Sequence, residues 1–233
     1  MPDPTRHQFL ESVLRLQPRV AAFDCDGTLW SGDAGERFFD WEIKQGVVPA
    51  EVGDAMRARY LEYKAGNVSE EAMCGEMVTM HKGMTEARMM KAASDFMDRA
   101  FPGPIFSEMQ ELVGRLQENG CDVWAVSSSN EWVIRAGMKS FGIAEDHILA
   151  AQVELEQGVI TDRLTRIPSG PGKPKVLGEV VHQQIDAAFG NSRWDADMLA
   201  IAQHAYAVNP NPDLEAAARQ RGWTIYFPDG ARD

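Results

Sequence analysis

Two aspartates separated by one residue stand in the segment Phe23-Asp24-Cys25-Asp26-Gly27-Thr28, directly after the apolar run Val20-Ala21-Ala22-Phe23. A short run with no polar alternation is the pattern of a strand buried on both faces, and open parallel sheets bind their ligands at strand ends. Gly27 permits a backbone path that bends the turn, so both carboxylates can face one crevice. Carboxylates held that close repel, and burying two of them calls for a hard cation or a shared proton. The pair therefore predicts metal binding, acid-base work, or both. An aspartate-rich turn without chemistry is the competing reading, but such turns usually follow hairpin strands of alternating polarity.

Later strand ends offer what such a site needs. Val123 to Val126 leads into Ser127-Ser128-Ser129-Asn130, with hydroxyls and N–H groups at a helix start where an anion can be cradled; taken alone, these serines read equally well as N-caps. Lys173 lies in the Gly/Pro-rich stretch from Ser169 to Lys175 ahead of a helical pattern, and in isolation it reads as a solvated loop lysine. Ala187-Ala188-Phe189 runs into Gly190-Asn191-Ser192-Arg193-Trp194-Asp195-Ala196-Asp197. Asn191 and Asp195 there are the oxygen donors a hard cation such as Mg²⁺ accepts.

Further apolar runs at Ala205 to Val208 and Thr224 to Phe227 alternate with helical patterns such as Phe106-Met109-Leu112-Val113-Leu116, which argues for a parallel α/β sheet. From about Gly32 to Ala100 only helical spacing appears, with turn signals at Gly46 to Pro49, Gly66-Asn67 and Gly83, and this reads as a helical insertion. Ser69 and Thr85 are expected N-caps within it, with Glu70 and Glu71 placed favourably against a helix dipole. Eight of the twelve methionines fall in this stretch, and Met73, Met77, Met80 and Met84 are spaced to share one helix face. Such a stripe is more often core than an adaptable lid over a substrate. Val153 to Leu164, centred on Gln157-Gly158, reads as a β-hairpin.

Composition narrows the class. With 23 basic and 35 acidic residues the net charge is −12, and 44% of residues are hydrophobic, an ordinary globular balance. Nucleic acid is not an expected partner, because the negative field repels phosphate backbones and no basic, aromatic cluster reverses it. The N-terminal residues lack a signal-peptide pattern, and no window approaches the ~18 apolar residues of a spanning helix, so neither export nor a membrane is expected and the expected location is cytoplasmic. Three scattered cysteines suit free thiols better than disulfides or zinc.

Taken in order, the four strand-end motifs resemble those of the haloacid dehalogenase superfamily, in particular its phosphoserine-phosphatase-like branch. The segment Val78 to Met84 is similar to that branch's cap helix, and Gly158 to Thr161 to its later hairpin. The resemblance implies a doubly wound, mostly parallel, Rossmann-like α/β core over residues 1–31 and 101–233, with a helical cap over residues 32–100. It implies a phosphatase acting on a small-molecule phosphomonoester. Asp24 would be the nucleophile and Asp26 the general acid and base; Thr28 would orient Asp26 and, with Ser127, Ser128 and Lys173, make up the phosphate-binding set. Mg²⁺ would be held by Asp24, the Asp26 carbonyl and Asn191, with Asp195 acting through water, or Asp195 or Asp197 would take the place of Asn191. Two positions depart from the branch. Asn191 stands where an aspartate is usual, and Met77 stands where an arginine receives the substrate carboxylate, while Asp33 falls near the residue used for the amino group. Without a carboxylate partner a less polar phosphomonoester fits at least as well as phosphoserine, unless Arg57, Arg59 or Arg88 replaces that arginine. The resemblance implies an aspartyl-phosphate intermediate on Asp24; a phosphotransferase or mutase using the same intermediate, and a weakly active phosphate-binding module, are the alternative readings.

Overall fold

A computed structural model describes residues 4–229 and 231 of the chain. Seven strands form one sheet: β1 (Val20–Phe23), β2 (Asp122–Asn130), β3 (Ile148–Glu156), β4 (Val159–Arg166), β5 (Ala187–Gly190), β6 (His204–Val208) and β7 (Thr224–Tyr226). Their order is β4-β3-β2-β1-β5-β6-β7. Every neighbouring pair is parallel except β3 with β4. The alternation of strand and helix patterns thus delivers the expected sheet. The fold is the mostly parallel, Rossmann-like arrangement.

β1 is buried at all four positions because helices cover both faces. Ala21 and Phe23 point into one core with α1 (Arg6–Leu14), α6 (Ser107–Glu118) and α7 (Glu131–Met138). Val20 and Ala22 point into the other, with α8 (Gly172–Val180), α9 (Ala196–Ile201) and α10 (Pro212–Arg221). Aromatic rings stitch the first core together: Phe23 stacks on Phe189 at 4.2 Å, Phe189 on Tyr206 at 4.8 Å, and Phe9 on Tyr226 at 3.9 Å. The spacing Phe9, Leu10, Val13, Leu14 is an amphipathic signal that marks α1, an element missing from the sequence reading.

Four helices fill the interval between β1 and β2: α2 (Ala34–Lys44), α3 (Ala50–Lys64), α4 (Glu70–Thr79) and α5 (Glu86–Arg99). Asp33, Ser69 and Thr85 cap three of them, each accepting a backbone N–H three residues on. The methionine stripe is not one helix face, since α4 ends at Thr79 and Met80 is its C-cap. Met73 is buried, Met77 borders a cavity, and Met84 packs on the core from the following turn.

The helical insertion is not a separate body. Val78, Met89, Ala93 and Phe96 belong to the same apolar cluster as Phe9 and Leu112. Buried His81 bonds Glu42 at 2.8 Å and meets the ring of Trp132 edge-on. The β3–β4 hairpin turns through Gln157 (φ 53°) and Gly158 (φ 78°), the left-handed pair of a type I′ turn. It also reaches the insertion, because Gly83 N–H donates to Ile160 O, and Ile160 N–H to Met84 O, both at 2.8 Å. β3 begins at Ile148, earlier than the hairpin read from sequence, and its first residues pair in parallel with β2. Among the described residues no helix is long and apolar enough to cross a membrane.

Phe96 is almost fully buried, with ring neighbours Phe38, Trp41 and Phe101 at 5.4, 5.6 and 5.7 Å. Phe96→Ala is expected to cost about 3–5 kcal/mol, the usual range for emptying such a site. Because the insertion shares the main core, urea unfolding followed by tryptophan fluorescence and by circular dichroism should shift together as one transition. Separated transitions would show that the helices fold as an independent unit.

Candidate active site

β1 ends at Phe23, and the chain then turns so that Asp24 and Asp26 border a single cavity of about 540 Å³ at the strand ends. Ser127, Ser128 and Ser129 from β2, Lys173 from the first turn of α8, and Asn191 and Asp195 after β5 complete its polar wall. Gly27 is required where it stands. Its φ is +75°, and a Cβ there would lie 1.9 Å from the Asn191 side-chain nitrogen.

Lys173 is buried, with 1% of its surface exposed, and all three ammonium protons are used. Nζ donates to Asp24 Oδ1 at 2.8 Å, Asp195 Oδ1 at 2.6 Å and the Val126 carbonyl at 2.9 Å. Burial alone would lower its pKa; Asp195 and Asp24 more than reverse this and hold it above the usual lysine value. The solvated-loop reading of Lys173 does not apply. Asp195 spends its other oxygen on the backbone N–H groups of Asn191 and Ser192 and on the Ser192 hydroxyl, at 3.0, 2.8 and 3.1 Å. Asp197 does not border the cavity.

The two central carboxyls are held differently. Asp24 Oδ2 accepts from the Thr28 hydroxyl at 2.8 Å; burial, then the Asp195 charge, push its pKa up to about 7 against the pull of Lys173 and Thr28. Asp26 accepts from Trp30 Nε1 at 2.8 Å, Ala34 N–H at 2.6 Å and the Ser129 hydroxyl at 2.7 Å. Burial and then Asp33 raise it to about 8, with Ser129 and Ala34 opposing. Thr28 therefore supports Asp24, not Asp26 as expected. It is fully buried behind Asp24 and away from the cavity lining, so it makes no direct phosphate contact from there. Trp30 and Ser129 are the groups that orient Asp26, and only the fold reveals them.

Asp33 caps α2 and borders both this cavity and a smaller one beside it, which Met77 lines. None of the arginines considered as a replacement reaches either cavity. Arg59 makes a two-pronged pair with Glu76 at 2.7 Å, Arg88 donates to the Val47 carbonyl, and Arg57 lies near Asp54. Glu70, read from sequence only as a helix-dipole residue, lines both cavities with Tyr63.

Lys173→Met would leave Asp24 and Asp195 buried without their cation, at a cost of about 3–5 kcal/mol at neutral pH. The sign of the pH dependence follows. Without the lysine the pKa of Asp24, already raised above the unfolded value near 3.8, rises still further, so the folded state binds more protons and loses stability as pH climbs from 4 through 7. Urea unfolding of wild type and variant should therefore show a gap that narrows toward pH 4. A gap constant with pH would refute this account of the ion network.

The haloacid dehalogenase-like hydrolase family matches residues 21–200 of the chain. The chain is 26% identical over 218 residues to a histidinol-phosphatase from Neisseria meningitidis serogroup C (strain 8013), covering 88% of this chain and 97% of that protein. Among solved structures it is similar in fold to a protein of unknown function from Bordetella pertussis Tohama I, with a TM-score of 0.77, 22% identity and coverage of 90% of this chain and 98% of the other. It is also similar in fold to a probable phosphoserine phosphatase from Vibrio cholerae in its unliganded form, with a TM-score of 0.67, 20% identity and coverage of 90% and 61%. With the family matched over well more than half of its length, the chain belongs to the haloacid dehalogenase-like hydrolases.

Proposed function

We propose that the protein is a Mg²⁺-dependent phosphatase that moves the phosphoryl group of a small phosphomonoester first to Asp24 and then to water. The observation that carries this reading is the convergence of Asp24 and Asp26 on one cavity, the first bonded to Lys173 and the second held by three donors. A site that only bound phosphate would have no use for a second, separately oriented carboxyl. The phosphatase names among its relatives agree with it.

In the first step an Asp24 carboxylate oxygen attacks phosphorus, an O–P bond forms and the ester O–P bond breaks. Asp26 gives its proton to the departing alkoxide; its raised pKa keeps that proton in place at neutral pH. In the second step Asp26, now a carboxylate, takes a proton from water as the water oxygen attacks phosphorus. The Asp24–phosphorus bond breaks and inorganic phosphate leaves. Lys173, the Ser127 hydroxyl and the Ser128 N–H hold the phosphoryl oxygens, where fixed donors count most as charge spreads in the transition state.

The cavity lining contains oxygen donors and no histidine or cysteine, which suits a hard cation. Asp24, the Asp26 carbonyl and Asn191 would hold Mg²⁺ directly. Asp195, whose Oδ2 already accepts three hydrogen bonds and whose Oδ1 faces Lys173, would act through water. When bound, the cation supplies positive charge against the phosphoryl oxygens and Asp24.

Purified protein is expected to release nitrophenol from p-nitrophenyl phosphate with Mg²⁺, to stop with chelator, and to lose about three orders of magnitude in kcat in Asp24→Asn. Undiminished turnover in that variant would overturn the nucleophile assignment. Asn191→Asp adds a negative charge to the donor set and should tighten Mg²⁺ binding in a calorimetric titration; unchanged or weaker affinity would remove Asn191 from the set.

A further inference from the structure

The smaller cavity, about 100 Å³, adjoins the reaction cavity and shares Asp33, Tyr63, Glu70, Ser128 and Ser129 with it. Its charged lining is three carboxylates, Asp33, Glu36 and Glu70, against one lysine. That lysine, Lys64, lies 3.5 Å from Glu36 and over the rings of Tyr60 and Tyr63, at 5.0 and 5.9 Å from their centroids. Carboxylate and phenol faces here already hold an ammonium group from the solvent side, the combination by which aromatic pockets take cations.

Glu70 is the inner carboxylate and lacks such a partner. It is 9% exposed, and among the described residues no Lys, Arg or His side chain forms an ion pair with it. Its acceptors are met only by hydroxyls: Tyr63 at 3.0 Å, Ser169 at 3.3 Å and Ser128 at 3.4 Å. Its hydrogen-bond donors are neutral, and the attraction of Lys173 is opposed by the charge of Asp195, so the buried carboxylate keeps much of its desolvation cost, which a cation would offset. Burial accordingly holds its pKa above the usual glutamate value. Ser128 joins the two cavities, with its hydroxyl on Glu70 and its residue in the wall around Asp24.

We propose that Glu70 is a specificity-determining residue that receives a protonated nitrogen at the far end of the phosphomonoester. It selects against substrates whose far end carries a carboxylate, for which Met77 provides no counter-charge. The proposal rests on the phosphatase reading for the end of the cavity at which the phosphate sits. A purely structural role for Glu70, latching α4 to Ser128 and Ser169 of the core, is separable, because glutamine keeps the side-chain oxygen that accepts both serine hydroxyls.

Two phosphonates of matched shape test it, 3-aminopropylphosphonate and propylphosphonate, titrated calorimetrically with Mg²⁺ into wild type and Glu70→Gln. The amino compound should bind wild type at least about tenfold tighter, the scale of one charge-assisted hydrogen bond. In Glu70→Gln that preference should disappear while propylphosphonate affinity stays within about twofold. Equal affinity of the two ligands for wild type, or a preference that survives in Glu70→Gln, would overturn the proposal. Equal weakening of both ligands in the variant would assign Glu70 to the latch and overturn it as well. If neither phosphonate binds while p-nitrophenyl phosphate is still hydrolysed, the proposal fails and the phosphatase reading stands; absence of that hydrolysis would count against the phosphatase reading itself.

Discussion

The Lys173 ammonium is the interaction on which the site depends. It is buried, and it bonds a carboxylate after β1, a carboxylate after β5 and a carbonyl of β2. Three neighbouring strand ends are thereby fixed to one point charge, and two carboxylates that would otherwise repel can be buried side by side. The sheet supplies the convergence, since parallel strands in the order β2-β1-β5 bring all three ends to the same edge. The apolar clusters on both faces keep those ends in place.

Asp26 depends on a different set of neighbours. The Trp30 indole, the Ala34 amide at the start of α2 and the Ser129 hydroxyl each give it a hydrogen bond. Two of these donors lie where the chain enters the helical insertion and the third lies on β2, so the carboxyl sits at the junction between the two. Glu70 makes a second junction, from the helical insertion to Ser128 and Ser169. The insertion thus meets the sheet layers through these polar contacts as well as through the apolar cluster in which Val78, Met89 and Phe96 pack with Phe9 and Leu112.

The convergence of Asp24, Asp26 and Asn191 on one cavity is legible in the sequence because each follows an apolar run at which the chain must leave the sheet, whereas Ser127 and Lys173 read locally as an N-cap and a solvated loop lysine and join the site only through the family resemblance. The hairpin and the caps at Ser69 and Thr85 were legible because their signals are local. Thr28 was assigned to the wrong carboxyl, since both aspartates lie within reach of a short turn and only the folded path decides between them. The roles of Trp30, Ser129 and Glu70 are not legible, because an indole, a serine in a helix-start run and a helix-start glutamate each have an ordinary local explanation and only the folded path shows which carboxyl or hydroxyl each one meets. The first residues of β3 are less legible because Ile148 to Ala151 runs into the hairpin pattern at Val153 with no turn signal to set it apart.

The outer strands of the sheet are β4 and β7, and an exposed strand edge is a template for pairing with another chain. β7 has three residues, too few to template much. β4 is longer, but its start is bridged by Thr85 of the cap, and Asp162, Arg163 and Arg166 put charge along the rest. The backbone bonds between the hairpin and residues 83–86 therefore do a second job besides anchoring the cap: they take up hydrogen-bonding groups at the sheet's longer edge. A variant that loosened the cap at Gly83 to Glu86 would expose that edge, and its first symptom would be aggregation.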